Sequence, residues 1–155
     1  YYENGNIESE AFYRDGIYDG VVKRYNQNGK ITESGAFING KKDGLWRYYN
    51  QMGVLSFEQE FSNDVAHGKF VEYIGNERKS TEGSYRNGER VGTWSYWDKY
   101  GNLTLTMTFK DGQMVSKQVY ESKKADRQPG TPSNQNRNNQ KQGNKSKVNN
   151  SKRFK

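Results

Sequence analysis

The chain has 155 residues, a net charge of +7 and no cysteine, which excludes disulfides and cysteine-based metal sites. Only 30% of residues are apolar while 14% are aromatic, so Tyr, Phe and Trp must supply most of the buried area. No run of about 18 apolar residues exists, which excludes a membrane-spanning helix.

From the first residue the chain keeps a 24-residue period without insertion or deletion. Tyr1, Tyr25, Tyr49, Tyr73 and Trp97 share one phase, and Tyr13, Phe37, Phe61, Tyr85 and Phe109 another. Glycine holds three more, at Gly5, Gly29, Gly53 and Gly101, at Gly16, Gly40, Gly88 and Gly112, and at Gly20, Gly44, Gly68 and Gly92. Such a period marks a repeat array, to be read unit by unit. Residues 1–120 hold five units. Tyr1 stands in phase without an initiator methionine, so the chain reads as a processed or trimmed product. That leans toward an exported or cell-envelope location, with the cytoplasm left open. The Asn, Lys and Tyr bias points to a bacterial source with an AT-rich genome.

The unit Tyr25–Tyr48 shows the pattern. Asn28-Gly29 reads as a turn pair because both residues tolerate positive φ. Residues 30–38 are rich in β-branched and aromatic types and predict a strand. Asn39-Gly40 gives the next turn, Asp43-Gly44 ends the loop, and residues 45–49 form the partner strand. No window carries helical periodicity. The expected class is all-β, an elongated single-layer antiparallel meander of about ten short strands, not a closed barrel.

Alternation puts Trp46 and Tyr48 on one face and Leu45, Arg47 and Tyr49 on the other. Gly35 and Gly83 occur in the units that carry Trp46 and Trp94, whereas the middle unit pairs Gln59 with Phe70. A hairpin centred on Gly40-Lys41 would set Gly35 opposite Trp46, with the indole shielding bare backbone. The first unit, with Ala11 and Val22, departs from this rule. Asp64 replaces a phase glycine, Lys79 an aliphatic residue, and Gly75-Asn76 inverts the usual order. The turn at residue 76 is therefore expected to be the least regular joint and the place for a bend.

Residues 121–155 leave the period and form a low-complexity tail rich in Asn, Gln and Lys. From residue 122 onward, Lys123, Lys124, Arg127, Arg137, Lys141, Lys145, Lys147, Lys152, Arg153 and Lys155 face a single acid, Asp126. The tail is therefore +9 and the array −2. Val148 and Phe154 are its only large apolar groups, too few to offset roughly 1–2 kcal/mol of backbone entropy per residue. A disordered or extended tail is expected.

Chemistry has little support. His67 reads as an exposed turn residue, and no second histidine or cysteine supplies a nucleophile–base pair. Glu58 and Glu60 lack an evident cleft to separate their pKa values. Asp15, Asp43 and Asp111 do not follow calcium-loop spacing, and no phosphate-loop motif occurs. No catalytic residue, metal, cofactor or small-molecule substrate is expected. The aromatics Trp46, Tyr48, Tyr49, Phe70, Trp94, Tyr96 and Trp97 are mainly structural, but a surplus on one face could bind a protein. The tail cations, with Phe154, are candidate contacts to a partner in a larger assembly, to nucleic acid or to an anionic membrane surface.

The segments YYNQMGVL, GKKDGLWRYY and GERVGTWSYW (residues 48–55, 40–49 and 88–97) resemble the MORN-repeat variant of bacterial YwqK-type proteins over roughly residues 1–120. The repeat, the aromatic surplus and the tail together point to a non-enzymatic scaffold or accessory subunit of a larger assembly. The resemblance implies a β-hairpin scaffold for protein–protein contacts and, as an alternative, an antitoxin-like or immunity-like partner of a secreted toxin. Eukaryotic relatives are linked to membranes.

Overall fold

A computed structural model describes residues 1–75 and 77–121. Ten strands run in sequence order through one open antiparallel sheet. They are β1 (Ser9–Arg14), β2 (Ile17–Tyr25), β3 (Ile31–Ile38), β4 (Lys41–Tyr49), β5 (Leu55–Ser62), β6 (Val65–Ile74), β7 (Arg78–Arg86), β8 (Glu89–Trp97), β9 (Leu103–Lys110) and β10 (Gln113–Val119). The meander expected from the period is present, with β1 and β10 as its edges. The tail from residue 122 lies outside the described residues.

Two kinds of turn alternate, for different local reasons. Within each hairpin, two residues take positive φ, as at Asn39 (50°) and Gly40 (78°). This is the mirror-image turn whose twist matches the flanking strands. Asp64 keeps the conformation at 69° without being glycine. Its N–H donates to the Lys42 carbonyl at 2.9 Å and its carboxylate accepts from the Lys42 N–H at 2.7 Å. Equivalent turn amides reach the preceding hairpin from Gly40 to the Tyr18 carbonyl and from Gly88 to the Ala66 carbonyl. These three turns are thus fastened to the hairpin before them.

Between hairpins the loop is built differently from the expected Asn-Gly pair. Gly29 has positive φ but Asn28 does not. Asn26 organises the loop: its carbonyl accepts from Gly29, and its Oδ1 accepts from the N–H groups of Asn28 and Lys30 at 3.0 Å each. Asn50 and Asp98 repeat the arrangement. Short side-chain acceptors favour such turns because they stand in for a backbone carbonyl. The third of these joints, between β6 and β7, has Ile74 at that phase and no side-chain acceptor there. There the Arg78 N–H meets the Gly75 carbonyl at a long 3.4 Å, and Glu77 adopts φ 58°. The joint is irregular as expected, although Asn76 itself lies outside the described residues. Pairing of β6 with β7 continues to Ile74↔Arg78, so the ladder is not interrupted there.

A further correction concerns Gly44 and its phase mates. Asp43-Gly44 does not end a loop; it lies within β4. Ser34 pairs with Arg47 and Ala36 with Asp43, so β4 carries two extra residues against β3. Gly44, at φ 74°, absorbs that bulge, which an ordinary residue would resist. The same offset recurs at Gly20, Gly68 and Gly92. In the last hairpin Ser116 occupies this phase, and β10 gains only one extra residue.

The core is made by aromatics laid across strands. Trp46 is 0% exposed and Trp94 1% exposed. The Trp46 indole covers Gly35, where any Cβ would overlap the ring, and Trp94 covers Gly83 in the same way. Their Nε1 groups donate to the Ala36 and Ser84 carbonyls at 3.1 and 3.3 Å. The expected Gly–Trp shielding is therefore present, but the hairpin is centred on Asn39-Gly40, and the bulge restores the opposition. Where no tryptophan occurs, direct pairs take over, Ala11↔Val22 and Gln59↔Phe70. Val22, Phe37 and Trp46 form the buried cluster, with Tyr18, Tyr48 and Phe61 against it.

Candidate protein-interaction surface

Because side chains alternate, the sheet carries two chemically different faces. The first is an aromatic ladder that passes from hairpin to hairpin. Tyr13 and Tyr18 lie 4.5 Å apart, and Tyr18 stacks on Phe37 at 5.0 Å. Phe37 meets Trp46 edge-on, and Tyr48 stacks on Phe57 at 4.4 Å with planes 14° apart. Phe57, Phe70 and Trp94 carry the contacts on to Tyr85 and Phe109. Offset-stacked and edge-on rings add about 0.5–1.5 kcal/mol per pair beyond area burial.

Two cations cap this ladder, and the sequence reading missed both. Lys42 Nζ lies 4.0 Å from the Trp46 ring centroid and 2.9 Å from the Tyr48 hydroxyl. The Arg90 guanidinium lies 4.4 Å from the Trp94 ring. Lys42 and Arg90 are 48 residues apart, the same interval that separates Gly35 from Gly83 and Trp46 from Trp94. Ala66 occupies their phase in the hairpin that has Phe70. That triple recurrence of glycine, tryptophan and cation was the readable signal.

The seven candidate aromatics do not act as one group. Trp46, Tyr48, Phe70, Trp94 and Tyr96 share the ladder face, whereas Tyr49 and Trp97 fall on the opposite one. Trp46 and Trp94 are covered, so a partner on this face meets their neighbours and not the indoles. Tyr48, Phe70 and Tyr96 are half-buried and reachable. The tail candidates Lys123, Lys124, Arg127, Arg137, Lys141, Lys145, Lys147, Lys152, Arg153, Phe154 and Lys155 lie outside the described residues.

The second face is an ion-pair lattice over Val71, which is 2% exposed. Arg47 Nε pairs with Glu58 Oε1 at 2.8 Å, and Glu58 Oε2 accepts from the Tyr73 hydroxyl at 2.8 Å. Glu82 sits between Lys69 and Lys79, each at 2.9 Å. Burial, then the hydrogen bond to Glu58, pushes the Tyr73 hydroxyl up to about 12. Hydrogen bonds from Lys69 and then Lys79 hold the Glu82 carboxyl below its usual range, and Glu82 in turn raises Lys69. These are structural shifts. Glu58 is committed to Arg47 and Tyr73, and Glu60 accepts the Lys69 backbone N–H at 2.6 Å, so the two carboxylates do not face one another as an acid/base pair. A shallow hollow of about 580 Å³ lies between Arg47, Tyr49, Leu55 and Glu77.

The Glu82 shift predicts a pH window. A carboxyl whose folded pKa is depressed adds stability above its unfolded pKa and loses it as pH falls through the folded value. Glu82→Gln should therefore be less stable than the parent at neutral pH, and the gap should close on acidification through the carboxylate range. Thermal melts across pH test this; a gap that stays constant would assign Glu82 a purely steric role. Tyr73→Phe has the opposite window. The stabilisation is full below 10.0 and fades as pH rises to about 12.

His67 is exposed as expected, but it lies within β6 beside the Gly68 bulge and not in a turn; its Nδ1 accepts the Asn87 N–H at 3.4 Å. Among the described residues, no group of His, Asp and Glu is arranged to hold a metal ion. No helix among them is long and apolar enough to cross a membrane.

Residues 1–15 and 18–39 match the family model described as the MORN repeat variant. The matched span covers the first hairpin and β3, and later hairpins repeat its phases and turns. Repeats of this family commonly bind proteins or membranes and are generally not catalytic. Comparison with curated proteins gives no match.

Proposed function

We propose that the array is a non-enzymatic scaffold or accessory subunit that binds a partner protein on its aromatic face, with residues 122–155 as a second, cationic contact. One observation carries this reading: the ring ladder continues across the hairpins while Tyr48, Phe70 and Tyr96 remain half-exposed along it. Rigid aromatic area of this kind gives binding energy at low entropic cost. The test is affinity capture with the full chain, with Tyr48→Ser/Tyr96→Ser, and with a chain truncated after residue 121. Captured proteins should be lost or weakened in at least one variant whose melting curve is unchanged. Retention of all partners by both variants would sink the reading.

The tail charge of +9 favours a second reading, an anionic partner such as nucleic acid or a lipid surface. Its signature would be binding that falls steeply with salt and vanishes on truncation. An antitoxin role of the YwqK type is supported by resemblance alone, and co-expression with a cognate toxin is its test.

A further inference from the structure

The last strand is out of step with every other even-numbered strand, and this decides which of its backbone groups are free. In β8, Thr81 pairs with Tyr96 and Glu82 with Ser95, so a shift of 24 residues would pair Leu105 with Tyr120. Instead Leu105 pairs with Val119 and Thr106 with Gln118. The cause is local. Ser116 stands where the other hairpins have a bulge glycine, and one extra residue is accommodated instead of two.

The Tyr120 N–H donates to the Thr104 carbonyl at 2.8 Å. Inward and outward groups alternate along an antiparallel strand. Ser116, Gln118 and Tyr120 therefore turn their amides toward β9, while Lys117 and Val119 turn theirs to the open edge, and the same alternation carried two residues past the end of β10 aims that of Glu121 there too. Among the described residues no strand covers that edge, and every residue of β10 is exposed, Val119 at 70%. An unprotected edge is a template for another strand.

The residues on it are complementary to themselves. If two copies meet antiparallel about a two-fold axis through Val119, Lys117 of each lies opposite Glu121 of the other. Val119 then faces its own counterpart. All three pairs use outward-pointing amides, giving about six backbone bonds by the antiparallel pattern. A register two residues earlier at the axis would set Lys117 against Lys117, which like charges disfavour.

We infer that β10 is a self-association edge, through which two copies of this chain join their sheets by antiparallel pairing of Lys117–Glu121 about Val119. The contact is small, at the weak end of interfaces below roughly 1,200 Å², so the dimer forms at high concentration or when other contacts gather the copies.

The experiment uses the full chain. The protein lacks cysteine, so Val119→Cys introduces one reporter. Hydrogen-bonded antiparallel partners have Cα atoms about 5.5 Å apart, within disulfide reach. Val119→Cys should oxidise to a covalent dimer at least about tenfold faster than Thr93→Cys, an exposed residue inside the sheet. In sedimentation equilibrium, Lys117→Glu should raise the dissociation constant about tenfold, and Lys117→Glu/Glu121→Lys should restore it, with unchanged melting curves throughout. A monomer at all concentrations together with equal oxidation rates would overturn the inference. So would masses that grow beyond a dimer, since β10 pairing with β1 of another copy would give an open-ended assembly.

Discussion

Gly35→Ala and Gly83→Ala are each expected to destabilise the fold by about 3 kcal/mol or more, the upper end for inserting one carbon into a packed site. The backbone at these positions has no left-handed requirement; the obstacle is the ring. A Cβ would enter the Cδ2–Cε2 edge of the Trp46 or Trp94 indole. The ring cannot swing aside without losing its Nε1 hydrogen bond and its capping cation. Gly44→Ala is the informative control. Nothing lies within 4 Å of its would-be Cβ, and only the positive φ opposes the change. Its cost should be about 1–2 kcal/mol. Denaturant melts of the three variants rank them directly. If Gly44→Ala proves as costly as Gly35→Ala, conformational strain and not ring clearance governs these sites.

Trp94→Ala should cost about 3–5 kcal/mol, as for a large aromatic removed from a closed core. That is a strong statement for a sheet without a second layer. It follows from the position of the indole, which touches Phe70, Tyr85 and Phe109 and roofs Gly83. Removing it bares a backbone segment that no other side chain replaces. Trp94→Phe should recover only part of the loss, since a phenyl ring has no N–H for the Ser84 carbonyl. The measurement is equilibrium unfolding of both variants, followed by the ellipticity of the sheet. A loss near 1 kcal/mol for Trp94→Ala would place the stability in the ladder of backbone bonds and not in the rings.

Much of this fold is legible in the sequence because its determinants are local. Asn39-Gly40 and Asn87-Gly88 specify their turns within two residues, and Gly35 with Trp46 betrays a cross-strand contact because both recur 48 residues on. The misreadings have a common origin. Gly44 looks like a loop glycine until the pairing of Ser34 with Arg47 shows that β4 carries surplus residues. Asn28 looks like half of a turn pair until the Asn26 side chain is seen to hold the loop. Register is set between strands, and a period within one strand does not reveal it. The Glu58–Tyr73 bond is hidden for the same reason, since it joins residues 15 apart through the register of β5 against β6. On the candidate surface, sequence reading found the aromatic face but could not tell the covered Trp46 from the accessible Tyr48.

The unbroken spacing of the hairpins has a genetic consequence. A strand in this sheet bonds only to its sequence neighbours, so stability accumulates step by step along the chain, as in a linear chain of coupled units. Excising residues 50–73 would bring β4 beside β7 with turn, bulge and face all in phase. Excising a single residue from β5 would turn the side chains beyond it to the wrong face. Gene duplication or loss in steps of 24 codons is therefore far gentler to this protein than any smaller change in length. The array can lengthen or shorten while each surviving hairpin keeps its place in the ladder.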